Sequence, residues 1–118
     1  MKIGKKLVSL QIEMTKKNTI LNQVRNTAHK VLPQGTHLWL FGSQARGDAS
    51  EGSDWDFLLL LDKGAVTNDD YRAYAYPFVQ LGWNLGEYFS VKVYTSEEWQ
   101  RRSGTPFYKN VTHDAIAI

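Results

Sequence analysis

The chain has 118 residues, the length of one domain, and its 42% apolar content, with four Trp, six Tyr and five Phe, is enough for one sizeable core. Fourteen basic residues against 12 acidic leave a net charge of +2, which does not announce a nucleic-acid binder but leaves room for a local basic pocket around an anionic ligand. The absence of Cys excludes disulfides and thiolate metal sites, and fits a cytoplasmic protein.

The N-terminus carries Lys2, Lys5 and Lys6, and the short apolar segment after them is broken by Ser9, Gln11 and Glu13. That is too polar for a secretory signal. No run approaches the roughly 20 apolar residues of a membrane span, so a soluble protein is expected. Leu7, Val8, Leu10 and Ile12 suit either a strand or a helix start, and residues 1–14 are left open. From Thr15 the pattern clears. Ile20, Leu21, Val24, Ala28, Val31 and Leu32 recur at spacings of three and four, which predicts an amphipathic helix, capped by Thr15 or Asn18 and ended by Pro33 and Gly35.

Thr36 to Phe41 is short and rich in apolar and aromatic residues, a predicted strand closed by Gly42 and Ser43. Ser43 to Arg46 reads as one helical turn, and Gly47 to Ser53 as a turn-rich connection. Asp54 to Asp62 is a second strand whose four consecutive leucines imply burial on both faces, as in a central strand. A helix begins at Asp69 and Asp70, acids suited to the positive end of its dipole, and reaches about Leu85. Pro77 either kinks it or marks the meeting of two shorter helices. Phe89 to Tyr94 is a third strand. Thr95 and Glu98 have capping-box spacing for a helix to about Arg102, and Thr105-Pro106 opens a last one to about Asp114. The final Ala-Ile-Ala-Ile is expected to pack or pair somewhere apolar. The sum is one α+β domain over residues 1–118, a small mixed sheet with helices on one side.

Two features carry chemistry. A glycine after a strand lets backbone approach a ligand, and a serine beginning a helical turn adds a hydroxyl to free N–H groups, which suits a phosphate. The bland alternative for Gly42-Ser43 is a plain strand-to-helix turn. Asp54 and Asp56, two apart on a strand, share a face, with Cα atoms about 7 Å apart. Two such carboxylates can converge on a hard cation such as magnesium and repel each other without one. The alternative is that Asp54 caps a turn and Asp56 sits on a wet strand end, although Asp is disfavoured in strands. The three histidines, His29, His37 and His113, show no ligand spacing, and the aromatics Tyr71, Tyr74, Tyr76, Phe78 and Trp83 read as core.

Together the two features resemble a known signature: Gly42-Ser43, two residues, Arg46-Gly47, six residues, then Asp54 and Asp56 one residue apart, with Ser53 before them. The pattern is similar to that of the nucleotidyltransferase superfamily that includes DNA polymerase beta, in the short form of minimal nucleotidyltransferase domains, and the order of elements agrees over about residues 18–102. The resemblance implies a palm-like fold. It implies that Asp54 and Asp56 hold two magnesium ions on ATP or another nucleoside triphosphate, that Gly42 and Ser43 contact its terminal phosphates, and that Arg46 offsets phosphate charge, positions the loop or is a surface residue. The chemistry implied is in-line attack of a hydroxyl on the α-phosphate with pyrophosphate leaving.

One part of the pattern is missing. Members of this family place a third acid on a later strand, yet on Phe89–Tyr94 the matching face carries Ser90 and Lys92. The lysine opposes a divalent cation, touches phosphate or points to solvent. Glu87, just before the strand, is the candidate replacement. Two functions follow from the resemblance. The first is a transferase moving AMP to a protein or other hydroxyl acceptor, as an antitoxin beside a HEPN-domain partner, with the acceptor supplied in trans because the chain has no room for a separate acceptor domain. The second is a binding module that neutralises its partner by contact alone. Aminoglycoside nucleotidylation is a weaker third, since the related enzymes use additional structure.

Overall fold

Between Lys5 and Leu32 the sequence has neither Gly nor Pro, and in the computed structural model a single helix, α1, runs from Lys2 to Val31. The structure describes residues 2–118, with the side chains of 2–10, 13 and 14 left out. The open stretch at 1–14 is therefore helical backbone from Lys2 onward. Thr15 and Asn18 lie inside the helix and cap nothing, and the Thr15 hydroxyl donates back to the Gln11 carbonyl at 2.9 Å. The apolar spacing holds from Ile20, because Ile20, Leu21 and Val24 are buried and Ala28 and Val31 pack beside them. Leu32 closes the last turn on the Ala28 carbonyl at 3.0 Å, and Pro33 cannot continue it.

Four strands make one mixed sheet: β1 (His37–Phe41), β2 (Trp55–Leu61), β3 (Phe89–Thr95) and β4 (Ile116–Ala117), in the order β3-β2-β1-β4. β2 is antiparallel to β1 and parallel to β3. The leucine run behaves as a central strand: Phe57, Leu58 and Leu59 are wholly buried. Burying each such side chain contributes about 1.5–3 kcal/mol. Asp54 and Asp62 fall just outside β2, at its two ends. The terminal Ala-Ile-Ala-Ile pairs as a strand, with Ile116 against Leu40 and Ala117 against Trp39.

Alternation along β2 divides the core. Trp55, Phe57, Leu59 and Leu61 face α1 and the helix α4 (Tyr76–Asn84). Leu58 and Leu60 face the opposite way, onto α5 (Ser96–Arg101) and α6 (Pro106–Asp114), where Trp99, Phe107, Tyr108 and Val111 cover them. Helices thus stand on both faces, and the expected one-sided layer gains a small second one. The short elements after β3 are helices, as expected, but which face of the sheet they cover is set by remote packing that the local pattern does not contain. Thr95 and Thr105 cap α5 and α6, accepting from the Glu98 and Tyr108 N–H groups at 3.0 and 3.2 Å.

The first helix of the crossover from β2 to β3 starts at Asn68, one residue before Asp69. Thr67 caps a short α3 (Asn68–Asp70) in a reciprocal box with Asp70. A wide π turn over Tyr71–Ala75 then leads into α4, with the Tyr76 N–H reaching the Tyr71 carbonyl. That turn resolves Pro77. Its ring would strike the carbonyl four residues back in a regular helix, and the wider turn moves that carbonyl aside. Gly82 lets α4 rest on β3: a Cβ there would stand 2.7 Å from the Phe89 ring. Among the described residues no helix is long and apolar enough to cross a membrane.

Candidate active site

The strand-to-turn junction at Gly42 is built around one contact. Gly42 has φ 76° and ψ −159°, a region essentially open only to glycine. A Cβ placed on it would lie 2.5 Å from Asp56 Oδ2. The carboxylate of Asp56 therefore rests directly on the Gly42 backbone, as the antiparallel register requires by pairing Phe41 with Asp56. From Gly42 the chain turns into α2 (Ser43–Arg46), whose Ala45 and Arg46 N–H groups close on the Gly42 carbonyl at 3.1 and 3.0 Å. The N–H groups of Ser43 and Gln44, in the first turn, have no carbonyl one turn back. Gly47, with φ 82°, ends the turn and bonds to the Ser43 carbonyl.

Asp56 is half-buried and Asp54 exposed. The Asp56 carboxyl is pushed up from the ordinary carboxylate range, first by burial and then by the charge of Asp54, and is pulled back by Lys92 and Arg46. Two carboxylates and two cationic side chains thus act on one another at the end of β2. Among these groups it is the Gly42 backbone that Asp56 touches.

Arg46 lies in the same neighbourhood but is bonded elsewhere. Its Nε donates to Asp48 Oδ2 at 3.1 Å and its Nη1 to Asp114 Oδ2 at 2.8 Å. These bonds, that to Asp114 first, raise the guanidinium pKa, and the Arg46 bond, followed by that from His113, holds the Asp114 carboxyl below its usual range. Asp114 went unnoticed in the sequence. It reaches this end of the sheet because β4 pairs with β1: continuing the register two steps beyond Leu40 and Ile116 brings Asp114 alongside Gly42. The only local signal was an acid placed just before an apolar pair-forming tail.

Glu87 is not brought to the two aspartates. Its carboxylate pairs with Lys16 at 3.3 Å and accepts from the Trp55 indole N–H at 3.3 Å. Trp55 points into the α1 side of the sheet, whereas Asp56 shares its face with Leu58 and Leu60. The two sit on opposite faces, so position along the chain put Glu87 near the site while strand alternation put it across the sheet. Among the described residues no group of three Asp, Glu or His stands ready for an ion. Beside Asp56, the parallel register sets Ser90, and beside Leu58 it sets Lys92.

A cleft of about 470 Å³ opens on the α1 side of the turn, between it and Lys16, Lys17, Trp55 and Glu87. Lys17 steadies this edge by donating to the Gln44 carbonyl at 2.6 Å, and Gln44 bonds onward to the Ser53 carbonyl at 3.3 Å. An apolar depression of about 530 Å³ lies farther along α1, around Ile12 and Leu85. Neither is lined by Asp54 or Asp56.

The family model described as a nucleotidyltransferase domain matches residues 21–111. A solved structure described as the crystal structure of the toxin-antitoxin with AMP-PNP superposes with a TM-score of 0.58, over 81% of this chain and 69% of that one, at 19% identity. At that identity the likeness is one of fold. No curated protein matches the sequence. A mixed sheet that sets a Gly-Ser turn against the second aspartate of an Asp-x-Asp pair, with a family match over most of its length, shows that this chain belongs to the nucleotidyltransferase domain family.

Proposed function

We propose that residues 1–118 form one minimal nucleotidyltransferase domain that transfers AMP from ATP to a hydroxyl on a partner protein. The observation that carries this reading is the seating of Asp56 against Gly42, which puts a carboxylate and a backbone turn within reach of one triphosphate. The family match supports a transferase, and the similar structure that holds a toxin, an antitoxin and AMP-PNP supports both the adenine nucleotide and the protein partner. The partner is of the HEPN type and the chain its antitoxin, working in the cytoplasm.

The donor set fits a magnesium ion. The Asp56 carboxylate has no hydrogen-bond partner among the described residues, carries the burden of burial and faces a second carboxylate, so a divalent cation relieves all three strains. Bound there, the ion would offset charge on the phosphates and on the departing pyrophosphate. The remaining work falls to the chain. Ser43 and the turn's N–H groups hold the terminal phosphates. Arg46, paired with Asp48 and Asp114, positions the loop after the turn. The acceptor oxygen bonds to the α-phosphorus as the bond to the bridging oxygen breaks, and the acceptor's proton passes to solvent.

Contact-only binding is the second reading, and one observation favours it: Ser90 and Lys92 occupy the strand face where a third acid would complete the site. One experiment separates the two. The protein is incubated with magnesium, ATP labelled at the α-phosphate and its HEPN-type partner. Label on the partner with release of pyrophosphate, lost in Asp54→Asn and Asp56→Asn, supports transfer. Tight complex formation without label, unchanged by either substitution, supports contact alone.

A further inference from the structure

The same strand face supports a more specific statement, which rests on the nucleotide-binding reading above. Residues paired across a parallel ladder send their side chains to the same side of the sheet. Ser90 and Lys92 therefore stand on the face that carries Asp56 and Leu58. Phe41, the partner of Asp56 on the other neighbouring strand, stands there too. Phe107 on α6 leans edge-on over Phe41, with ring centres 6.0 Å apart. The Lys92 ammonium lies 5.9 Å from the centre of the same Phe107 ring. Phe107 is thus shared by the lysine and by Phe41, which keeps the exposed Lys92 on the side of the sheet that carries Asp56.

The charges there are unevenly partnered. Arg46, the other cation acting on Asp56, is spoken for by Asp48 and Asp114. Lys92 forms no ion pair among the described residues, while its charge acts on Asp56. A divalent ion arriving with a triphosphate needs about six oxygens, which one oxygen from each aspartate, phosphate oxygens and water supply. A second ion needs another carboxylate on β3. The chain offers an ammonium and a hydroxyl instead, and an ammonium repels a divalent cation at that spot. Ser90 is neutral and does not reverse that sign.

We propose that Lys92 stands in the place of the second metal ion, so that the site binds its nucleotide with a single divalent cation and the lysine ammonium supplies the other positive charge. Two ions are then the wrong number for this chain, and the missing acid on β3 is not simply a loss.

Counting ions tests this without relying on turnover. The full chain is saturated with AMP-PNP and titrated with Mn²⁺, and bound Mn²⁺ is read from the loss of the free-ion electron paramagnetic resonance signal, with bound nucleotide measured in parallel. The wild type is expected to bind one Mn²⁺ per bound AMP-PNP. Lys92→Met is expected to keep one, and Lys92→Asp to bind two. Lys92 is exposed, so both variants are expected to melt cooperatively like the wild type, and the wild-type count requires no variant at all. Two ions per nucleotide in the wild type overturn the proposal while leaving nucleotide binding intact. A single ion in a folded Lys92→Asp variant overturns the lysine's place. No retention of AMP-PNP under any condition overturns this proposal together with the transferase reading, and so is distinguishable from the first two.

Discussion

Asp56 should make the metal-free protein less stable at neutral pH than a neutral side chain of the same shape. Its carboxyl is pushed up by burial first and by Asp54 second. For a raised carboxyl, stability is fully present below the ordinary carboxylate value of about 3.9 and is lost as pH rises through the higher folded value. Asp56→Asn removes the charge and keeps the volume. Two residues apart on extended chain, Asp54 and Asp56 have their Cα atoms about 7 Å apart, which is taken as the charge separation. Their repulsion is then about 0.6 kcal/mol at the dielectric of water and about 2.4 kcal/mol at an effective value of 20. Asp54 is exposed and Asp56 half-buried, which favours the lower part of that range, about 1 kcal/mol. For a chain of this size that corresponds to a rise in Tm of about 3–6 °C. The assay is thermal unfolding of both proteins in chelator at neutral pH, and again well below the ordinary carboxylate value of about 3.9, where the raised Asp56 carboxyl is protonated and the difference should close. Adding magnesium and ATP should stabilise the wild type and not the variant. An Asp56→Asn protein less stable than wild type in chelator at neutral pH would refute the reasoning.

Three more expectations follow from single contacts. Gly42→Ala places a Cβ against Asp56 Oδ2 in a backbone region closed to alanine, so it should lower the unfolding free energy in urea by about 1–3 kcal/mol and weaken nucleotide binding. Gly82→Ala should cost a similar amount, about 1–3 kcal/mol, by driving the Phe89 ring off α4, but should leave nucleotide binding unchanged once the protein is folded. Asp114 has its carboxyl held low by Arg46 and then His113, so its contribution is present above the ordinary carboxylate value and is lost as pH falls through the lower folded one. Asp114→Asn should accordingly destabilise the protein at neutral pH, and melting curves of variant and wild type should converge in acid.

What could be read in advance was local. The four leucines of β2 are buried on both faces because a central strand has no solvent side. The helical turn at Ser43–Arg46, the caps at Thr95 and Thr105, and the stop at Pro33 rest on adjacent residues and appear as expected. Features that depend on remote partners were not legible. Thr15 and Asn18 have the chemistry of caps, but no break in the chain before them lets a helix begin there. Glu87 is near the third strand in sequence, yet the face it takes is set by Lys16, seventy-one positions earlier, and by Trp55. Asp114 enters the site only because the last residues pair with β1. The second helical layer likewise depends on Trp99 finding Tyr108 and Phe107 after the chain has folded back, with ring centres 4.8 and 5.8 Å apart.

The account stands on Gly42, Ser43, Asp54 and Asp56 forming one site for a metal-bound nucleotide. Isothermal titration of the protein with AMP-PNP measures this most directly, in magnesium and in chelator, for the wild type and for Asp54→Asn and Asp56→Asn. The account predicts saturable binding in magnesium that falls at least tenfold, about 1.4 kcal/mol, in chelator and in each variant. Binding of equal strength in all of these conditions, or none in magnesium, would contradict it.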